Sequence, residues 1–311
     1  MNVAPTTGLS SKILTAGYES LKGHSLSRGS RPPIMAISII QNNHSIGTSN
    51  KDSPAIDGVV APYLAFSQIS KSFGSKMVLN RVSFAVKRGE TVSIMGRSGV
   101  GKSVCLQLLM GFLKPDAGRV VVIGEDITDY SEEQLESIHK MTMVFQNGAL
   151  FDSLTVRENV AYVMRARGVL NEDQISQRVN SLLDMVGIVD ERDRYPAEIS
   201  IGIKRAVAIA RAISESPEVV LYDEPTTMVD PIMVRRLGDL IRRLKVQLKL
   251  TSVVVTHDTR LAKQLSDHVM FLDKGKVLFF GSVSEMKRTT EPLIQEFLKD
   301  DQLDVPGTTS A

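Results

Sequence analysis

From Tyr63 onward, short apolar runs alternate with longer stretches of helical spacing, and these two periods assign the elements. Leu64–Ile69 and Val82–Val86 alternate as half-buried antiparallel strands do. Thr91–Met95 reads as a buried strand that runs into a glycine-rich turn, followed by a helix from Lys102 to about Phe112. Arg119–Ile123 and Thr142–Phe145 are further strands, and a helical stretch extends from about Val156 to Ala212. Then come strand Val219–Tyr222, a helix over Pro231–Leu248, strand Ser252–Thr256, and the pair Val269–Leu272 and Lys276–Phe280. Strands alternating with helices predict an α/β fold, a mainly parallel sheet with helices on both faces. The helical insertion at about 147–212 is long enough to form its own subdomain, and no internal repeat is visible.

In the helix at 231–248, Met233, Leu237, Leu240, Ile241, Leu244 and Leu248 recur at helical spacing and face the sheet. Arg235, Arg236, Arg242, Arg243, Lys245 and Lys249 form a basic stripe, read as a solvated face rather than a nucleic-acid surface. After Gly281, Pro292 opens a last short amphipathic helix with Leu293, Ile294, Phe297 and Leu298. This tail, 286–311, is expected to pack on its own domain or on a partner subunit, with 302–311 disordered.

Composition adds boundaries. The formal net charge of +2 over 311 residues gives no global field that selects nucleic acid or an anionic membrane. A single cysteine, Cys105, excludes an internal disulfide, and it reads as a buried small hydrophobe. No apolar run approaches the ~20 residues that span a bilayer. Residues 1–53 are rich in Ser, Thr, Asn and Gly, with Glu19 and Asp52 the only acids. Residues 1–61 therefore read as a disordered leader or the product of a start ahead of Met35, and alternatively as an organelle transit peptide.

The chemistry begins at Gly96-Arg97-Ser98-Gly99-Val100-Gly101-Lys102-Ser103, a P-loop pattern with a strand before it and a helix after it. Glycines let the backbone curl so that N–H groups point at phosphate oxygens, and the helix adds its positive N-terminal end. Lys102 is placed to reach the β- and γ-phosphates and the Ser103 hydroxyl to ligate Mg²⁺. About 120 residues later, Val219–Tyr222 ends in Asp223 and Glu224. Asp223 can hold Mg²⁺ through its water shell, and Glu224 sits where it could orient or deprotonate an attacking water. Together the two motifs specify a nucleotide triphosphatase that works with Mg²⁺.

The order of the pieces resembles the nucleotide-binding domain of ABC transporters over residues 62–285, about three-quarters of the chain. Phe145-Gln146 is similar to the Q-loop, which implies Gln146 near Mg²⁺ and the permease interface. Thr227-Met228-Val229-Asp230 resembles the D-loop, Thr256-His257-Asp258 the switch histidine, and Phe73 the aromatic that stacks on adenine. The resemblance implies a P-loop core with an antiparallel β subdomain and a helical signature subdomain. It also implies a dimer on ATP, a membrane permease as partner and a peripheral place on the cytoplasmic face of the inner membrane. If residues 1–60 are a transit peptide, that place becomes the chloroplast inner envelope. The segment 146–156, Gln-Asn-Gly-Ala-Leu-Phe-Asp-Ser-Leu-Thr-Val, followed by Glu158-Asn159-Val160-Ala161, looks like the MlaF-type ATPases paired with MCE-domain phospholipid transporters. That likeness adds an MCE-domain protein to the expected complex.

One departure stands out. The family signature Leu-Ser-Gly-Gly-Gln is here Ile199-Ser200-Ile201-Gly202-Ile203, so a β-branched residue replaces a glycine that closes over the partner's ATP. Ser200 and Gly202 remain for the γ-phosphate, while Ile201 is expected to add bulk and restrict the backbone. Slow hydrolysis, pairing with an intact second cassette, and a clamp with little turnover all follow as readings.

Overall fold

A computed structural model describes residues 62–136 and 140–303. Residues 1–61, expected as a leader, and residues 304–311 lie outside the described residues. The first layer is an antiparallel sheet of β1 (Leu64–Phe73), β2 (Lys76–Val86), β4 (Ala117–Val122) and β5 (Glu125–Asp126), in the order β2-β1-β4-β5. The second sheet contains β3 (Thr91–Met95), β6 (Met141–Val144), β7 (Val219–Asp223), β8 (Thr251–Val255), β9 (His268–Asp273) and β10 (Lys276–Gly281). Its order is β10-β9-β3-β8-β7-β6, with every pair parallel except the closing hairpin of β9 and β10. β3 and β8 are buried along their whole length, as central strands covered on both faces must be.

Helix α1 (Lys102–Leu109) follows β3 and lies between the sheets, burying Cys105, Leu106, Leu108 and Leu109 among Leu64, Phe66, Ile94 and Val253. Burial pushes the Cys105 thiol up to about 12, so it is an inert core residue, as the sequence predicts. A short α2 (Glu132–Glu136) precedes β6. The insertion then resolves into α3 (Val156–Arg167), α4 (Glu172–Val186), two single 3₁₀ turns and α5 (Ile201–Ala212). Helices α3 and α4 each start with a reciprocal capping box, Thr155 with Glu158 and Asn171 with Gln174. Helix α6 (Pro231–Leu248) has the predicted bounds; Leu237, Leu240, Ile241 and Leu244 are buried and Arg235, Arg236, Arg242 and Arg243 exposed.

Three elements depart from the sequence reading. Helix α7 (Thr259–Leu265) is capped by Asp258, where the sequence suggested only a strand end. Helix α8 (Val283–Arg288) crosses the expected tail boundary at 286. Helix α9 (Pro292–Leu303) runs past position 302, and its Ile294, Phe297 and Leu298 pack with Met95, Val269, Phe271 and Met286. Phe297 meets Phe271 edge-on at 5.1 Å between centroids. Among the described residues, no helix is long and apolar enough to cross a membrane.

Candidate active site

The sheet order places the chemistry. In register, Ile94 of β3 faces Val255 of β8, and Val255 faces Asp223 of β7, so three strand ends share one rim. Ligands of open α/β sheets bind at such carboxyl ends. Backbone bonds from Glu224 N to Val255 O (2.9 Å) and from Thr256 N to Ile94 O (3.2 Å) carry that rim one residue further.

The cradle starts at Gly96, whose φ of 141° is open to glycine; a Cβ there would lie 2.2 Å from the Leu272 carbonyl oxygen. Gly101, at φ 107°, is pressed against Leu79 and Val78 in the same way. The loop between them is exposed at Arg97, Ser98 and Gly99 and half-buried at Val100. Lys102 is buried, and its Nζ donates to the carbonyls of Gly96 (2.9 Å) and Arg97 (3.2 Å) and lies 3.6 Å from Glu224 Oε1. Ser103 Oγ donates to Asp223 Oδ1 at 3.0 Å. His257 Nδ1 is 2.8 Å from Glu224 Oε2, an oxygen that also accepts from Thr227 Oγ1 at 3.3 Å. Thr227, three residues beyond Glu224, enters the sequence reading only as the start of the D-loop-like stretch; its contact with the carboxylate was signalled by that three-residue spacing alone. Glu224 itself holds φ at 46°, a left-handed conformation of the kind kept at functional sites.

The electrostatics separates the two acids. Burial, joined by the adjacent Glu224 charge, lifts the Asp223 carboxyl above its ordinary range, against the Ser103 hydrogen bond. Burial also works to raise Glu224, but the hydrogen bond and charge of His257 and the charge of Lys102 outweigh it and hold Glu224 below its ordinary value. The hydrogen bond to Glu224 raises His257 in turn, against partial burial.

Other candidates stand apart from this cluster. Phe73 ends β1, half-buried, with the Lys71 ammonium 5.7 Å from its ring centre. Gln146 is exposed just beyond β6, the strand beside β7. The loop after it is braced by Arg211, which donates to the carbonyls of Gly148 (2.9 Å) and Ala149 (2.8 Å). Asp230 caps α6, accepting from Ile232 N and Met233 N. Ser200 caps α5, its Oγ accepting from Ile203 N at 3.3 Å, and Gly202 is closed in by Met233, whose Cε lies 2.5 Å from where a Cβ would be. Ile201 adds the expected bulk without a strained backbone. It is the first residue of α5, free of positive φ, and its side chain is 46% exposed, so the isoleucine costs bulk on the surface and no backbone strain.

A family model described as ABC transporter matches residues 79–227. The chloroplastic protein TRIGALACTOSYLDIACYLGLYCEROL 3 of Arabidopsis thaliana is 38% identical over 246 residues, 74% of this chain and 71% of its own. A probable amino-acid ABC transporter ATP-binding protein of Sinorhizobium fredii, y4tH, is 36% identical over 76% of this chain and 96% of its own. Among solved structures, the dimeric post-hydrolysis state of the ATP-binding cassette MJ0796 bound to ADP and Pi superposes with a TM-score of 0.65 at 30% identity, covering 71% of this chain and 98% of that one.

Proposed function

Because this chain belongs to the ABC-transporter ATP-binding family, as an ATP-hydrolysing subunit that drives a membrane permease, we propose a residue-level mechanism and a class of cargo for it. The observation that carries the mechanism is the convergence of Lys102, Ser103, Asp223, Glu224 and His257 on one sheet rim. Gly96–Ser103 cradles the triphosphate with backbone N–H groups, and Lys102 turns from the loop carbonyls to the β- and γ-phosphates. Glu224, kept ionised below its usual range, accepts the proton of the attacking water. His257 and Thr227 fix that carboxylate, and His257 also reaches the γ-phosphate and the water. Phe73 stacks on the adenine. Ser200 and Gly202 of one subunit close over the nucleotide of a second, with Asp230 beside them, and the permease docks at Gln146.

The residues fit a magnesium ion carried by the nucleotide. Ser103 Oγ and Asp223 Oδ1 are hard oxygen donors 3.0 Å apart, and no group of three or more His, Cys, Asp or Glu side chains forms a cage among the described residues. Ser103 and Asp223 would hold the ion, with Gln146 the further ligand that the family resemblance implies, and it would neutralise charge developing on the phosphates.

For cargo, we favour phospholipid transport with an MCE-domain partner, on the segment 146–156 and on the lipid in the name of the Arabidopsis relative. Amino-acid import is the second reading, favoured by the Sinorhizobium relative. The protein then works at the cytoplasmic face of the inner membrane or, with residues 1–60 as a transit peptide, at the inner envelope of a chloroplast. The test is ATP turnover of the chain purified with its permease and placed in vesicles. Glu224→Gln should lower turnover by about 10²–10⁴ while ATP binding persists; undiminished turnover ends the assignment. Ile201→Gly should raise turnover, by no more than the roughly 10²–10³ that one transition-state donor contributes. Stimulation by phospholipid supports the first cargo, and stimulation by free amino acids alone replaces it with the second.

A further inference from the structure

The cradle carries two cations, and each is held by a carboxylate. Lys102 faces Glu224, which belongs to the catalytic rim. Arg97 faces Glu296, with Nη2 at 2.9 Å from Oε1, and Glu296 belongs to the C-terminal helix α9. This second contact is outside the catalytic machinery, yet it ends on the nucleotide loop. Arg97 is also the residue whose backbone carbonyl accepts from Lys102 Nζ.

The helix that carries Glu296 is firmly seated. The next residue, Phe297, is seated edge-on against Phe271, and Ile294 and Leu298 are buried beside Met95, the residue that opens into the cradle. Pro292 starts the helix and Gln295 ties its first turn to the preceding loop, donating to the Thr289 carbonyl at 2.7 Å. The carboxylate is therefore presented to the phosphate loop by a helix anchored to the same strand end that carries the loop.

We infer that Glu296 is an affinity-tuning residue: from the C-terminal helix it neutralises Arg97 and so lowers the positive potential that the cradle offers to nucleotide phosphates. The geometry sets the expected size. Both side chains are about half exposed, 49% for Arg97 and 60% for Glu296, so solvent screens the pair and the effect is modest. Its sign follows from charge. Removing the Glu296 carboxylate takes away a repulsion on a highly anionic ligand and frees the Arg97 guanidinium, whose planar fork matches phosphate oxygens. Weaker nucleotide binding in the native chain also favours release of ADP after each turnover.

This inference rests on Gly96–Ser103 being the nucleotide cradle, and the experiment separates the two. ATP affinity is measured by titration calorimetry on the full chain in a Glu224→Gln background, which removes turnover from the readout, at low and high salt. Glu296→Gln should tighten ATP binding about two- to fivefold at low salt, less at high salt. In an Arg97→Gln background the same change should gain clearly less, because only the direct repulsion between carboxylate and phosphate is then removed. Equal or weaker affinity in Glu296→Gln, or the same gain with Arg97 removed, overturns the tuning role. Loss of all ATP binding in Lys102→Ala is required by the cradle itself; its absence would instead overturn the site. Unchanged thermal unfolding of Glu296→Gln confirms that α9 remains seated.

Discussion

His257 and Glu224 show what one contact does to two titrations. The 2.8 Å hydrogen bond raises the imidazole and, against burial, lowers the carboxylate. A raised His contributes fully at pH below its unfolded value and loses that contribution as pH climbs through the raised one. The lowered carboxylate behaves oppositely, contributing at neutral pH and failing as pH falls through its depressed value. An NMR titration of the His257 ring should place its midpoint above the ordinary imidazole value, and Glu224→Gln should bring it back. A native midpoint at or below the ordinary value removes the ion-pair account of how Glu224 stays charged. Ile201 teaches at the same scale. Its identity departs from the family signature, but its effect depends on a conformation that only the coordinates supply, and that conformation is ordinary.

At the scale of elements, α3 is the one that ties the loop after Gln146 to the helical subdomain. Its Asn159 is fully buried. The side-chain oxygen accepts from Phe151 N at 2.8 Å, and the amide donates to the carbonyls of Phe151 (3.1 Å), Leu154 (2.9 Å) and Thr155 (3.1 Å). Such an arrangement uses a polar side chain as a template for a loop that has no ladder of its own. Asn159→Ala leaves Phe151 N and the Leu154 carbonyl without this partner, while the Phe151 and Thr155 carbonyls still accept from Leu154 N and from the backbone N of residue 159, and it should destabilise by about 2–3 kcal/mol. Urea unfolding reads this as a lower midpoint at unchanged slope. A shift near zero would mean that water replaces the amide and that the loop is held by Arg211 alone. Asn159 and the residues it bonds, Phe151, Leu154 and Thr155, all stand in the motif visible in the sequence, whereas their contacts were not visible, because the path of the loop before α3 is decided by α3 and α5 together.

Across the whole molecule, the C-terminal helix is part of the core rather than an appendage. Phe297→Ala removes the ring packed against Phe271 and should cost about 3 kcal/mol, read as a lowered melting temperature. A cost below about 0.5 kcal/mol would make α9 a surface attachment. The sequence alone determined the strand–helix alternation, the P-loop, the paired carboxylates and the bounds of α6, since each is written locally in period, spacing or residue type. It determined the candidates Asp223, Glu224 and His257 as well, but their meeting was decided by the strand order β3-β8-β7, which brings positions far apart in the chain to one rim. The same holds for Arg97 with Glu296 and for Gly202 against Met233. Local period reports which face of an element is apolar. Which element covers that face, and which charge ends beside which, follows only from packing two sheets and a helical subdomain around shared cores.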